Sequence, residues 1–251
     1  MNAHPDIAIL DVDGTLLPGA LGVDLLRALL ADDSCNRDWA ELLFDILTDY
    51  RSGRIDLSKM AAQAYRAYAL ALADREVARV EALAREVWAQ RRRAMFEFVP
   101  ELLSTLRGLG YAPMLISGSP IEMVRLVADE LGIDEAYGAV FERRDGRYTG
   151  AVAVSSGAPG QKPKIFAAAT RGRGVSHPQC FALGDSMADL ALFEAVGAAL
   201  VFEPDPALAE EAAKRGLPIA TRTDVVAQTR ALLGAGPVAS LTASTSTCLS
   251  C

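Results

Sequence analysis

The sequence predicts an α/β fold: a mostly parallel sheet with helices on both faces, plus an inserted all-helical cap domain after the first strand. Three observations predict it. Residues 7–10, Ile-Ala-Ile-Leu, form an apolar run suited to a strand covered on both faces. Residues 20–98 show helical spacing and almost no strand signal. From Pro100 onward, short apolar runs alternate with amphipathic stretches, the pattern of parallel βαβ units.

The elements follow in order. In the insertion, "VDLLRALLADD", "DWAELLFDILTDYRSG", "DLSKMAAQAYRAYALALA" and "DREVARVEALAREVWAQRRRA" carry helical apolar stripes with charged outer faces, and Asp and Ser near their starts supply caps. Next come a helix ("PELLSTLRGLG"), a strand ("YAPMLIS") and a helix ("PIEMVRLVADELGI"). "AVFERRDGRYTGAVAV" predicts a hairpin turning at Asp145-Gly146. A helix starts near Pro163, as proline suits a first helical turn. Strand "CFAL", helix "MADLALFEAVG", strand "AALVF", helix "PALAEEAAKRG", strand "PIA" and a helix near 223–233 complete the pattern. The expected domains are an α/β core of residues 1–19 and 99–234, a helical cap of residues 20–98, and a disordered Ser/Thr-rich tail at 235–251.

Composition narrows the function. The chain has 251 residues, 51% of them hydrophobic, enough for a large core or two domains. A net charge of -7 offers no global basic field for nucleic acid, so a phosphate-bearing ligand needs a local positive site. No apolar run approaches the roughly 20 residues of a membrane span, and no charged start followed by an apolar stretch suggests a signal peptide. The cysteines, Cys35, Cys180, Cys248 and Cys251, lack the density of a disulfide scaffold, and a reducing cytoplasm fits them. Cys248 and Cys251 have the spacing of half a metal site, but no second pair matches them.

The chemistry sits where strands end. Asp11 and Asp13 follow the first strand directly, where open α/β sheets place their ligands. Paired carboxylates repel and are costly to bury unless a cation or proton joins them, although Asp-Gly also makes ordinary turns. "LISGS" brings Ser117, Gly118 and Ser119 to the next strand's end, where a hydroxyl and helix-start amides can bind phosphate. Lys162 in "GQKPK" opposes a helix dipole, which makes sense if an anion lies between them. "LGDSMADLALF" sets Asp185 at a strand end and Asp189 one helical turn later.

In this order, "DVDGT", "SGS", the lysine of "GQKPK" and "GDSMAD" resemble the haloacid dehalogenase-like superfamily, in particular its magnesium-dependent phosphatases. The helical insertion resembles the cap of the phosphoserine-phosphatase-like branch, as does "YRSGRIDL" within it, and the resemblance spans residues 7–233. It implies a Rossmann-like core and hydrolysis of a small phosphorylated metabolite. Asp11 would be the nucleophile, forming an aspartyl-phosphate. Asp13 would be the acid/base that protonates the leaving alcohol and then activates water. Mg2+ would be held by the Asp11 side chain, the Asp13 backbone carbonyl and the Asp185 side chain. Asp189 would anchor either the metal's water shell or Lys162. Ser117 and the Gly118 amide would bind phosphoryl oxygens, and Lys162 would offset charge on Asp11 and the phosphoryl group. Lys164 is the alternative lysine, with the spacing to Ile165 favouring Lys162. Gly14 would permit the turn, and "TLLPG" would be a flexible link to the cap.

A phosphotransferase would share every motif. A non-catalytic phosphate- or metal-binding regulator has no use for an insertion that closes over the site, and a dehalogenase has no use for Asp13. In phosphoserine phosphatases a cap glutamate nine residues after the nucleophile receives the substrate's amino group, and here that position is Ala20. The nearest downstream carboxylate is Asp24, so the expected substrate is a small monoester other than phosphoserine. Arg54 and the run Arg91, Arg92 and Arg93 could contact a carboxylate or second phosphate, against the simpler reading of a solvated helix face.

Overall fold

The computed structural model describes residues 5–234. The expected tail, with Cys248 and Cys251, lies outside the described residues. Seven strands form one sheet in the order β4-β3-β2-β1-β5-β6-β7. They are β1 (Asp6–Leu10), β2 (Tyr111–Pro120), β3 (Glu135–Arg144), β4 (Arg147–Val154), β5 (Phe181–Gly184), β6 (Ala198–Phe202) and β7 (Ile219–Ala220). All neighbours are parallel except β3 and β4, the hairpin expected at Asp145-Gly146.

Alternation along β1 splits the core into two layers. Ile7 and Ile9 join Met114, Ile116, Ala182 and Val201 on one face, under α7 (Gln161–Ala169), α8 (Leu190–Phe193) and α9 (Pro206–Arg215). Ala8 and Leu10 join Leu115, Leu183 and Leu200 on the other face, under α5 (Val99–Gly108), α6 (Ile121–Leu131) and α10 (Val225–Gly234). That second layer runs without a break into the helices between β1 and β2, through Leu21, Leu25 and Leu29 of α1 (Leu21–Ala31). The other helices of this segment are α2 (Arg37–Arg51), α3 (Leu57–Leu72) and α4 (Val77–Arg91). Asn36 caps α2 through the Trp39 amide, and Asp56 caps α3 through the Lys59 amide.

Two elements differ from expectation. The helix expected from Met187 is only Leu190–Phe193, because the preceding turn wraps around the Asp189 carboxylate, which accepts from the Ser186 amide and hydroxyl. The "TLLPG" link is packed over most of its length. Thr15, Leu16 and Leu17 are buried, and only Pro18 and Gly19 are exposed.

The β3–β4 hairpin clamps the helical insertion. The Asp74 and Val77 amides donate to the Tyr148 and Gly146 carbonyls, and Tyr148 donates back to the Arg75 carbonyl. Beneath this contact the Glu122 side chain is 2% exposed, and one of its oxygens accepts from both Arg143 (2.5 Å) and the Tyr148 hydroxyl (2.6 Å). Arg143 also reaches Glu81 on α4 at 3.1 Å, so this cluster joins core and insertion. Removing its cation strands a buried carboxylate. Arg143 is partly exposed, so Arg143→Ala should cost about 2–4 kcal/mol, with Arg143→Lys costing less. Urea melts check this, and a change within about 0.5 kcal/mol would mean that the cluster is solvated.

Candidate active site

Leu10 of β1 pairs with Leu115 of β2 on one side and Leu183 of β5 on the other. The next turns of these strands therefore bring Asp11, Ser117 and Asp185 to one point. It lies where strand order reverses about β1, at the carboxyl ends of parallel strands. The Asp11 amide donates to the Leu183 carbonyl at 3.0 Å, which fixes the first carboxylate beside β5.

Lys162, the second residue of α7, fills the centre. Its side chain is 2% exposed, and Nζ donates to Asp11 Oδ1 (2.7 Å) and Asp189 Oδ1 (2.5 Å). Lys164 is exposed and does not enter the cluster. Asp185 Oδ1 accepts from the Thr15 hydroxyl at 3.1 Å. Two glycines clear space for the carboxylates: a Cβ on Gly14 (φ +80°) would lie 2.0 Å from Asp185 Oδ2, and one on Gly184 would lie 2.4 Å from Asp189 Cγ.

Oxygens of Asp11, Asp185 and Asp189 lie within 4.8 Å of one another, and the Lys162 ammonium pairs with two of these three carboxylates, Asp11 and Asp189. Burial pushes Asp11 well above the usual carboxylate range, with Lys162 opposing and the neighbouring carboxylates adding to the rise. Burial, with Asp189 adding to it, pushes Asp185 up to about 7. Lys162 is held firmly protonated, its desolvation outweighed by Asp11 and Asp189. A compact, all-oxygen donor set with uncompensated negative charge fits a hard divalent cation such as Mg2+.

Asp13 turns the other way. Its Oδ1 accepts from the Leu21 amide at 2.7 Å, and its Oδ2 accepts from the Ser119 and Ser117 hydroxyls at 2.5 and 3.2 Å. Ser119 Oγ in turn accepts from the Gly22 amide at 2.8 Å. The first amides of α1 are thus capped by side chains of the core rather than by a residue of their own segment. Burial raises Asp13 above its ordinary value, and these hydrogen bonds offset part of the rise.

Ser117 is fully buried, and Gly118 lines the cavity beside it. The Tyr65 hydroxyl of α3 donates to the Gly118 carbonyl (3.0 Å) and accepts from the Gly157 amide (2.7 Å), tying the insertion to the core. A cavity of about 470 Å3 opens over Asp11, Asp13, Lys162 and Asp185, and Tyr50, Arg51 and Met60 of the insertion line its other side. Sequence reading assigned no site role to Tyr65, Thr15, Tyr50 or Arg51, although Thr15 stands in the "TLLPG" link and Tyr50 and Arg51 open "YRSGRIDL". Thr15 was within reach, being part of "DVDGT", whereas Tyr65 stands in an ordinary apolar helix stripe. Of the arginines singled out, Arg54 pairs with Asp49 and Arg92 with Glu130, both on the surface, and Arg93 lies away from the centre. Arg91 pairs with Asp24 in a separate surface pocket that shares Gly19, Ala20 and Arg51 with this cavity.

Fold and centre define an α/β protein with an acidic site built around a buried lysine. The profile of haloacid dehalogenase-like hydrolases matches residues 8–194, and the chain belongs to that family. It is 35% identical to the probable phosphatase Rv3661 of Mycobacterium tuberculosis over 126 residues, which is 50% of this chain and 43% of that protein. Less than half of that relative's length is therefore matched. A phosphoserine phosphatase of Mycobacterium tuberculosis is 29% identical over 217 residues, 83% of this chain and 68% of that protein. Among solved structures, a protein of unknown function from Bordetella pertussis Tohama I superposes with a TM-score of 0.72 at 21% identity, covering 87% of this chain and 99% of that one. A phospho-aspartyl intermediate analogue of phosphoserine phosphatase does so with 0.61 at 20% identity, covering 87% and 93%. These likenesses establish the shared fold.

The electrostatics predict metal-linked stability. Burial favours the protonated forms of Asp11 and Asp185 in the metal-free fold relative to the unfolded chain, where both titrate near the ordinary carboxylate value. The metal-free protein should therefore lose stability as pH rises from about 4 towards 7. A bound divalent cation reverses this, since it replaces those protons. Millimolar Mg2+ should raise Tm clearly near pH 8 and much less near pH 5.5, and Asp185→Asn should remove most of the gain. Thermal melts with and without Mg2+ measure this. An Mg2+ shift independent of pH would contradict the linkage.

Proposed function

We propose that this chain is a magnesium-dependent phosphatase that hydrolyses a small phosphate monoester through an aspartyl-phosphate. The observation that carries it is the buried Lys162 ammonium between Asp11 and Asp189, beside Asp185 and with Asp13 across the same cavity. The magnesium ion, held by Asp11, Asp185 and the Asp13 backbone carbonyl, would screen the phosphate's negative charge from the attacking carboxylate. Asp189 fits the role of anchoring Lys162, since it offers that ammonium an oxygen and is itself held by Ser186.

In the first step an Asp11 carboxylate oxygen bonds to phosphorus as the ester P–O bond breaks. The leaving alkoxide takes its proton from Asp13, whose carboxyl burial pushes above its ordinary value. In the second step Asp13 takes a proton from water as the water oxygen bonds to phosphorus, and the bond to Asp11 breaks to release phosphate. Lys162 offsets charge on Asp11 and on the phosphoryl group throughout, and Ser117 and the Gly118 amide receive phosphoryl oxygens. Residues 20–98 act as the cap, shielding the centre from water on the side of Tyr50, Met60 and Tyr65.

Phosphoserine is disfavoured. Ala20 lines the cavity without a charge, and the next carboxylate, Asp24, is engaged by Arg91 at 2.9 Å and Arg27 at 3.4 Å. A reducing cytoplasm remains the compartment that fits the free, buried Cys35 and Cys180. No helix among the described residues is long and apolar enough to cross a membrane.

Release of phosphate from an aryl phosphate tests the mechanism. EDTA should abolish turnover and Mg2+ should restore it. Asp11→Asn should lower kcat by several orders of magnitude, and retention of more than roughly a tenth would remove Asp11 as nucleophile. Asp13→Asn should also stall turnover, but should accumulate a phosphoenzyme from an activated aryl ester, whose leaving group needs little protonation. Mass spectrometry of the trapped chain reads that adduct, and its position on a residue other than Asp11 would overturn the scheme.

A further inference from the structure

Beside Asp13, on the side facing the insertion, lies a second cavity of about 160 Å3. It shares Asp13, Ala20, Met60, Tyr65, Gly118 and Gly157 with the cavity over Lys162, so the two are adjoining chambers. The remainder of its lining is almost wholly apolar, including Val23, Leu43, Leu47, Ala64 and Phe141. Tyr68 of α3 stacks on Phe141 of β3 at 4.9 Å between ring centroids and stiffens one wall.

The few polar atoms of this lining are already engaged. The Tyr68 hydroxyl donates to the Gly22 carbonyl at 3.0 Å. The Tyr65 hydroxyl is spent on Gly118 and Gly157, and Ser119 Oγ on Asp13 and Gly22. Burial keeps the Tyr65 phenol neutral by raising it above its ordinary value. Beyond Asp13, a polar substrate group entering here would lose water and meet only side-chain polar atoms that are already hydrogen-bonded. An apolar group would gain contacts on every side, and an apolar cavity of about 150 Å3 is known to hold a benzene ring.

We infer that the leaving alcohol of the substrate is apolar, with a body about the size of a benzene ring that seats in this chamber while Asp13 protonates its oxygen. The inference rests on the phosphatase reading for the identity of the bond broken, and the chamber itself supplies the substrate class: a monoester of an aryl-alkyl or short branched-alkyl alcohol. Ala20 lines both chambers and carries no charge.

The test compares kcat/KM with Mg2+ for benzyl phosphate, methyl phosphate and phosphoserine. Benzyl alcohol and methanol are similarly basic as leaving groups, so the benzyl-to-methyl ratio reads binding rather than bond strength. Benzyl phosphate should lead methyl phosphate and phosphoserine by at least about tenfold. Ala64→Phe, which fills the chamber, should bring the benzyl-to-methyl ratio close to one. Leu47→Ala, which enlarges it, should shift preference from benzyl towards 2-naphthylmethyl phosphate. A wild-type ratio near one, or phosphoserine in the lead, overturns the inference and leaves the phosphatase reading standing. Should Ala64→Phe fail to fold by circular dichroism, the naphthylmethyl shift in Leu47→Ala decides. Should no ester be hydrolysed, the phosphatase reading fails instead. Calorimetric binding of benzylphosphonate against methylphosphonate then decides the chamber, with a preference of at least about tenfold supporting it and equal affinity overturning it.

Discussion

The buried ammonium of Lys162 sits between two carboxylates, with a third and a fourth close by. Taking such a group out of water costs several kcal/mol unless its partners are held at contact distance. The fold meets that condition through three separate elements. β1 delivers Asp11, the turn after β5 delivers Asp185 and Asp189, and the first turn of α7 delivers Lys162 itself. A lysine at that position works against the helix dipole, and only the two carboxylates in front of it make the placement favourable. The strand order, the glycines at 14 and 184 and the shortened α8 all serve that meeting of charges.

The same centre couples the insertion to the core. Asp13 and Ser119 complete the amide set at the start of α1, and Tyr65 of α3 reaches back to Gly118 and Gly157. Moving α1 away from the sheet would leave Asp13 without its Leu21 donor and the Gly22 amide without Ser119. The electrostatic environment of Asp13 is therefore linked to the seating of the insertion. On the far side the hairpin holds the α3–α4 connection through backbone hydrogen bonds and the Glu122–Arg143–Tyr148 cluster. The insertion is thus held at two places, one of them the reaction centre.

Much of this was legible in the sequence because it is local. A strand ending in Asp11 and Asp13, the Ser-Gly-Ser after β2, the Asp-Gly hairpin turn and a lysine at a helix start each carry their signal within a few residues. Long-range matters were not legible. Capping of α1 by Ser119 spans 97 residues of sequence, and no property of Leu21 or Gly22 announces it. The helix expected from Met187 has sound local periodicity, yet the pull of Ser186 and Lys162 on Asp189 holds its first turn in another shape. The apolar chamber was hidden for a different reason. Leu43, Met60, Tyr65 and Phe141 have the spacing of core residues on their own elements, and a side chain facing a cavity has the same periodicity as one facing a core.

The charges of the site also bear on where the proposed specificity arises. The chain carries a net charge of -7, and its centre holds Asp11, Asp13, Asp185 and Asp189 against Lys162. Two like charges 4 Å apart repel by about 4 kcal/mol at an effective dielectric of 20. Two cations line that cavity among the described residues, the buried Lys162 and Arg51 on the insertion side, and the contact of Lys162 with a phosphoryl group would be the same for every monoester. Discrimination between monoesters therefore falls to whatever touches the alcohol. In this chain Ala20 and the chamber beyond it present apolar surface there, and Asp13 is the single charged side chain lining that space.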